Sequence, residues 1–149
     1  MYVTAFAPDA GETAAELSGR FPGGTLGPTL AASVPLPNGG NDLYIQQDKS
    51  HAQFAADVPK NQAKRMAATQ RPIIEAALNE ASGAPAWKAT ASWFIYGDRD
   101  LNIPEAALSF MAKRAGSKET VVGKGASHVV MVSHPGDVAR VIEHAAAAK

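Results

Sequence analysis

The sequence predicts an α/β fold: a parallel sheet of about three strands, interrupted by a long helical insertion. Three observations carry this expectation. The last third reads strand, helix, strand, helix, the order that builds parallel, right-handed crossover units. The first strand of that unit, Trp93-Phe94-Ile95-Tyr96, is apolar throughout, as suits a strand covered by helices on both faces. A second apolar run, Tyr2 to Pro8, opens the chain and is separated from the first by a middle third that is polar, helical and loop-like.

In chain order, Tyr2-Val3-Thr4-Ala5-Phe6-Ala7-Pro8 reads as a buried strand stopped by proline. Asp9 is placed to cap a helix over Glu12–Leu17, with Glu12 three residues on as in a capping box and Gly19 as the stop. Residues 21–40, FPGGTLGPTLAASVPLPNGG, are too rich in proline and glycine for core and read as loop. Asn41–Gln47 suits a short hairpin arm. Asp57 before Val58-Pro59 starts a helix whose inner face is Ala63, Met66 and Ala67, and another turn or two covers Ile73–Ala81. Lys49, Lys60, Lys64 and Arg65 read as a solvated face. Gly83 and Pro85 close the segment. After Trp93–Tyr96, Pro104 and Glu105 open a helix with Leu108, Met111, Ala112 and Ala115 inward and Gly116 at its end. Glu119–Val122 is the next strand. Pro135 opens a final helix with Val138, Val141, Ile142 and Ala145 inward. The chain divides into a strand (1–8), an insertion (9–85) and a strand-helix-strand-helix unit (86–149), together one partial domain.

Composition excludes several functions. With 149 residues, 46% of them hydrophobic, the chain has material for one core. Fourteen basic and fourteen acidic residues leave no net charge, so no nucleic-acid partner is expected. No apolar run approaches membrane-spanning length, and no basic-then-apolar leader follows Met1, so the expected location is cytoplasmic with no membrane partner. The absence of cysteine rules out disulfides, thiolate metal sites and a cysteine nucleophile. No glycine-rich phosphate loop or metal-ligand spacing occurs, so no cofactor is expected.

Chemistry in open parallel sheets collects beyond the carboxyl ends of the strands. Two loops fit that position: Gly97-Asp98-Arg99-Asp100-Leu101-Asn102-Ile103-Pro104 and Lys124-Gly125-Ala126-Ser127-His128-Val129. Neighbouring strands bring them to one rim, so Asp100 and His128 are candidates for a hydrogen-bonded pair. A carboxylate on one imidazole nitrogen fixes the tautomer and stabilises the imidazolium during proton transfer. Asp98 reads as a turn residue and is the fallback acid. Ser127 adjoins His128 and points away from it. His134 reads as a helix-entry residue and His144 as solvent-facing. His51, with Phe54, lies in the insertion, where a pocket role is the alternative to a plain helix position. Trp87 and Trp93 read as packing. A metal site from Asp98, Asp100, His128 and His134 lacks visible supporting residues, and no metal is expected.

These motifs resemble the C-terminal part of an α/β-hydrolase, with small esterase-like hydrolases closest in texture. Gly97, Asp98, Asp100 and Pro104 are similar to that superfamily's acid turn. Gly125 and His128 are similar to its histidine loop, and Pro135 opens the closing helix as in the family. The resemblance covers essentially the whole chain. Tyr2–Pro8 resembles the strand before the family's cap, and Asp9–Pro85 the helical cap itself. It implies that Asp100 orients His128 and that His128 is the general base of a Ser-Asp-His triad. The family's order is serine, acid, histidine, with the serine in a Gly-x-Ser-x-Gly elbow. No such elbow occurs here, and neither does the early oxyanion loop. Two further positions depart from the pattern: Ala89-Thr90-Ala91 replaces an apolar-proline pair, and Gly123 sits where a strand favours bulk.

The expected function is therefore a serine hydrolase or esterase segment. It supplies acid, base and cap for a small ester or acyl substrate, with the nucleophile outside this chain, and is weak or inactive alone. The expected partner is the missing N-terminal half or a second copy, either of which pairs with the open edge of the first strand. The alternative is a non-catalytic, self-associating scaffold domain derived from a hydrolase.

Overall fold

A computed structural model describes residues 1–148. The strands are β1 (Tyr2–Val3), β2 (Val34–Pro35), β3 (Asn41–Leu43), β4 (Ile73–Ile74), β5 (Trp93–Gly97) and β6 (Glu119–Gly123). The helices are α1 (Ala14–Arg20), α2 (Gln47–Phe54), α3 (Lys60–Ala68), α4 (Glu75–Asn79), α5 (Glu105–Arg114), α6 (Val130–Ser133) and α7 (Pro135–Ala147). The main sheet runs β1-β5-β6 and is parallel throughout. It is the three-stranded parallel sheet expected from the sequence.

Alternation along β5 divides the core. Phe94 and Tyr96 face Leu17 of α1 and Leu108 and Met111 of α5. Ile95 faces the opposite way, onto Val130, Val138 and Val141 of α6 and α7. Successive strand residues point to opposite faces, so an all-apolar strand is satisfied only when helices cover both. Burying each of these large side chains contributes about 1.5–3 kcal/mol. A guanidinium ties the start of the insertion to α5. Arg114 donates to Glu12 through both terminal nitrogens at 2.8 Å, donates to Ala7 O at 3.0 Å, and lies over the rings of Phe110 and Trp87.

Several sequence expectations need correction. The first strand ends at Val3, because Thr4 turns to φ +44° while its N–H still bonds Ile95 O at 2.8 Å. The first capping box is Thr13–Glu16, and Gly19 lies inside α1. Glu12 accepts from the Asp9 N–H, and Asp9 pairs with Lys88, so neither starts the helix. The insertion contains a small antiparallel sheet, β2-β3-β4. Ile73 and Ile74, expected to be helical, form β4 before α4 begins; two β-branched residues suit an edge strand better than a helix turn. On α7, Val138 and Val141 are buried, but Ile142 is 50% exposed. One residue is a 100° step around a helix, enough to carry Ile142 off the inward stripe.

Candidate active site

The parallel register places Gly97 opposite Gly123, so β5 and β6 end level and their loops leave from one rim. Gly97 is required there, and Gly123 is closely packed. A Cβ on Gly97 would stand 2.1 Å from Ala126 O, because the loop after β6 crosses over the end of β5. A Cβ on Gly123 would crowd Ala126 and Val130 at 3.1 and 3.3 Å, which explains why that position lacks bulk. The crossing is fastened by Asp98 N–H to Gly123 O at 3.1 Å and Arg99 N–H to Ala126 O at 3.0 Å.

On this rim Asp100 and His128 meet. Asp100 Oδ1 accepts the backbone N–H groups of Asn102 and Ile103 at 2.8 and 3.0 Å, the self-bracing of an Asx turn. That leaves Oδ2 for His128 Nδ1, 2.9 Å away. The carboxyl side chain has no exposed surface and the imidazole keeps 19%. An ionised carboxylate only accepts, so Nδ1 carries the proton and Nε2 is free to take one. The Phe54 ring covers the imidazole at 4.8 Å between centroids, tilted by 51°.

His128 lines a cavity of about 1010 Å³ between the rim and the insertion. Its wall is largely apolar, including Phe6, Leu26, Leu30, Ile45, Met66 and Leu78, and among the described residues Arg71 is the one permanently charged side chain on it. Thr4, also on the wall, combines its positive φ with a buried hydroxyl that has no hydrogen-bond partner among the described residues.

The other sequence candidates lie elsewhere. Asp98 accepts the Gly125 N–H at 2.7 Å and pairs with Lys124 at 3.4 Å. The Gly125 N–H, helped by Lys124, holds its carboxyl below the usual carboxylate value. Asp98 thus braces the histidine loop and does not touch the imidazole. His51 Nε2 bonds Val58 O at 3.0 Å, His134 Nδ1 meets Ser133 Oγ at 2.9 Å, and His144 pairs with Glu119 at 2.9 Å on the surface. The Ser127 hydroxyl donates to Asp57 and not toward His128.

Sequence reading missed the polar bolt that joins the insertion to the acid loop. Buried Gln53 donates to Leu101 O and Asn102 Oδ1, both at 2.9 Å, and accepts from Thr25 Oγ1 at 2.8 Å. It also missed Asp57, which reads in sequence only as a helix start. No local pattern marks either residue, because their partners are distant in the chain.

A level-ended parallel sheet carrying an acid–histidine pair on its rim, beneath a mixed insertion, defines an open α/β fold. Residues 1–141 match the alpha/beta hydrolase family, and the chain belongs to it. No curated protein matches the sequence. Among solved structures, the chain is similar to polyneuridine aldehyde esterase, at 14% identity and a TM-score of 0.76, with 97% of this chain against 60% of that one. It is similar to a methylesterase from Arabidopsis at 13% identity and a TM-score of 0.66, covering 97% of this chain and 57% of that one. A pyrethroid hydrolase from Sphingobium faniae JZ-2 is 18% identical, with a TM-score of 0.61 over 98% of this chain and 60% of that one. The chain thus spans about 60% of the length of these esterases and hydrolases.

Proposed function

We propose that this chain supplies the acid, Asp100, and the general base, His128, of a serine hydrolase acting on an apolar ester or related acyl compound. The nucleophilic serine comes from polypeptide outside these residues. The observation that carries this reading is the 2.9 Å contact of Asp100 with His128 Nδ1, made where the imidazole meets a large apolar cavity. With Nδ1 committed to Asp100, Nε2 takes the serine proton as its oxygen attacks the acyl carbon. It then returns that proton to the leaving alkoxide, and Asp100 stabilises the imidazolium in between. The mostly uncharged wall favours substrates without formal charge. That the similar solved structures include an esterase and a methylesterase supports the same chemistry. In this reading the insertion is the cap over the substrate.

A serine, its base and an oxyanion hole act as a unit. Alone, the chain is therefore expected to give an activated aryl ester only general-base help, about 10²–10⁴-fold at most. No burst and no labelling by a serine-directed phosphonate are expected. Joined to a polypeptide bearing a serine elbow, it turns over, and His128→Ala abolishes that turnover. Covalent labelling of this chain alone, or full activity of His128→Ala in the joined form, would overturn the reading. A second reading, a self-associating domain without catalysis, draws on the outer edge of β1, which no strand among the described residues pairs. It predicts that His128→Ala leaves assembly unchanged and that no added serine elbow yields turnover.

A further inference from the structure

Ser127 is almost wholly buried, and its hydroxyl plays no part in the Asp100–His128 pair. It donates instead to Asp57 Oδ1, in the turn between α2 and α3, and lies 3.2 Å from Phe54 O at the end of α2. Phe54 in turn covers the His128 ring. Two consecutive residues of the histidine loop thus grip one short segment of the insertion. The main-chain neighbours add apolar contact: Ala55 and Val58 pack with Val129, the residue after His128.

The other Asp57 oxygen, Oδ2, is enclosed without a hydrogen-bond partner among the described residues and stands 3.7 Å from His134 Nδ1, at the start of α7. Burial opposes ionisation of Asp57, yet the hydrogen bonding from Ser127 holds its carboxyl below the usual carboxylate value. It is therefore a charged acceptor at neutral pH, and a charge-assisted hydrogen bond of this kind is roughly twice as strong as a neutral one.

We propose that Asp57 is a positioning residue for His128. By holding Ser127, it fixes the backbone of the imidazole and the Phe54 ring that covers its face, so that docking of the insertion and orientation of the base become one event. The proposal deepens the reading of His128 as a general base, but its test does not depend on turnover.

The test is the spectrum of the imidazole C–H groups in the full chain, with His128 assigned by its absence in His128→Ala. Phe54→Leu defines these signals without the aromatic ring current. Ser127→Ala and Asp57→Ala are expected to move them most of the way to the Phe54→Leu position. Asp57→Asn keeps an acceptor at Oδ1 and nearly the same volume, and is expected to move them part of the way. If Asp57→Ala or Ser127→Ala loses its cooperative melt, Asp57→Asn decides. Signals unchanged from the parent in folded variants would overturn the proposal. Signals that shift as expected, in a chain whose His128→Ala variant keeps full activity in the joined form, would leave the latch standing and remove the catalytic role.

Discussion

Asp100 divides its two oxygens between two tasks: Oδ1 closes its own turn and Oδ2 holds the imidazole. Asp100→Asn keeps the shape but presents an amide that can favour the wrong tautomer of His128. In the joined enzyme it is expected to lower kcat by about 10³–10⁴-fold with little change in KM, measured by steady-state ester hydrolysis. Glu12 gives a prediction of a different kind. The Arg114 guanidinium draws its carboxyl from the ordinary 4.5 down to about 2. A carboxyl depressed on folding stabilises the folded state fully above pH 4.5, and that contribution is lost as pH falls from there through about 2. Glu12→Gln is therefore expected to lower stability by about 1 kcal/mol at neutral pH, and the difference from the parent is expected to shrink in acid. Denaturant midpoints across that range measure both.

At the scale of elements, the level ending of β5 and β6 matters more than the length of either. A methyl group at position 97 meets a backbone carbonyl oxygen, which no rotamer change relieves. Gly97→Ala is expected to cost about 3 kcal/mol or more, at the upper end for overpacking, and to separate the two rim loops. Chemical denaturation measures the cost, and loss of the Asp100-bonded Nδ1 proton resonance reports the separation. The starts of α5 and α7, each marked by a proline, were readable, whereas α3 begins at Lys60, three residues after the start expected at Asp57. Of the β2-β3-β4 sheet only the β3 arm was readable, within Asn41–Gln47; the two-residue strands β2 and β4 carry no periodicity of their own and exist only through pairing.

Over the whole molecule, β1 is paired on one side only among the described residues, although Tyr2 stacks on Phe94 within the core. An apolar strand with a free edge invites pairing. The isolated chain is expected to associate in dilute solution and to return to a single copy when the serine-bearing polypeptide occupies that edge; sedimentation equilibrium measures this. A monodisperse single copy without that polypeptide would count against the expectation.

Sequence by itself determined the parallel class of the sheet and the two rim loops. These follow from hydrophobic period and from the fixed geometry of parallel strands, both of which are local or nearly so, while resemblance to the family's motifs picked out Asp100 and His128 within the loops. Only tertiary structure decided which oxygen of Asp100 meets the imidazole, that Asp98 braces a loop instead, and that Gln53, Phe54 and Asp57 reach the site from the insertion. Those contacts join positions far apart in the chain. Their partners are chosen by packing and by the need to satisfy buried polar groups, and neither leaves a mark on neighbouring residues.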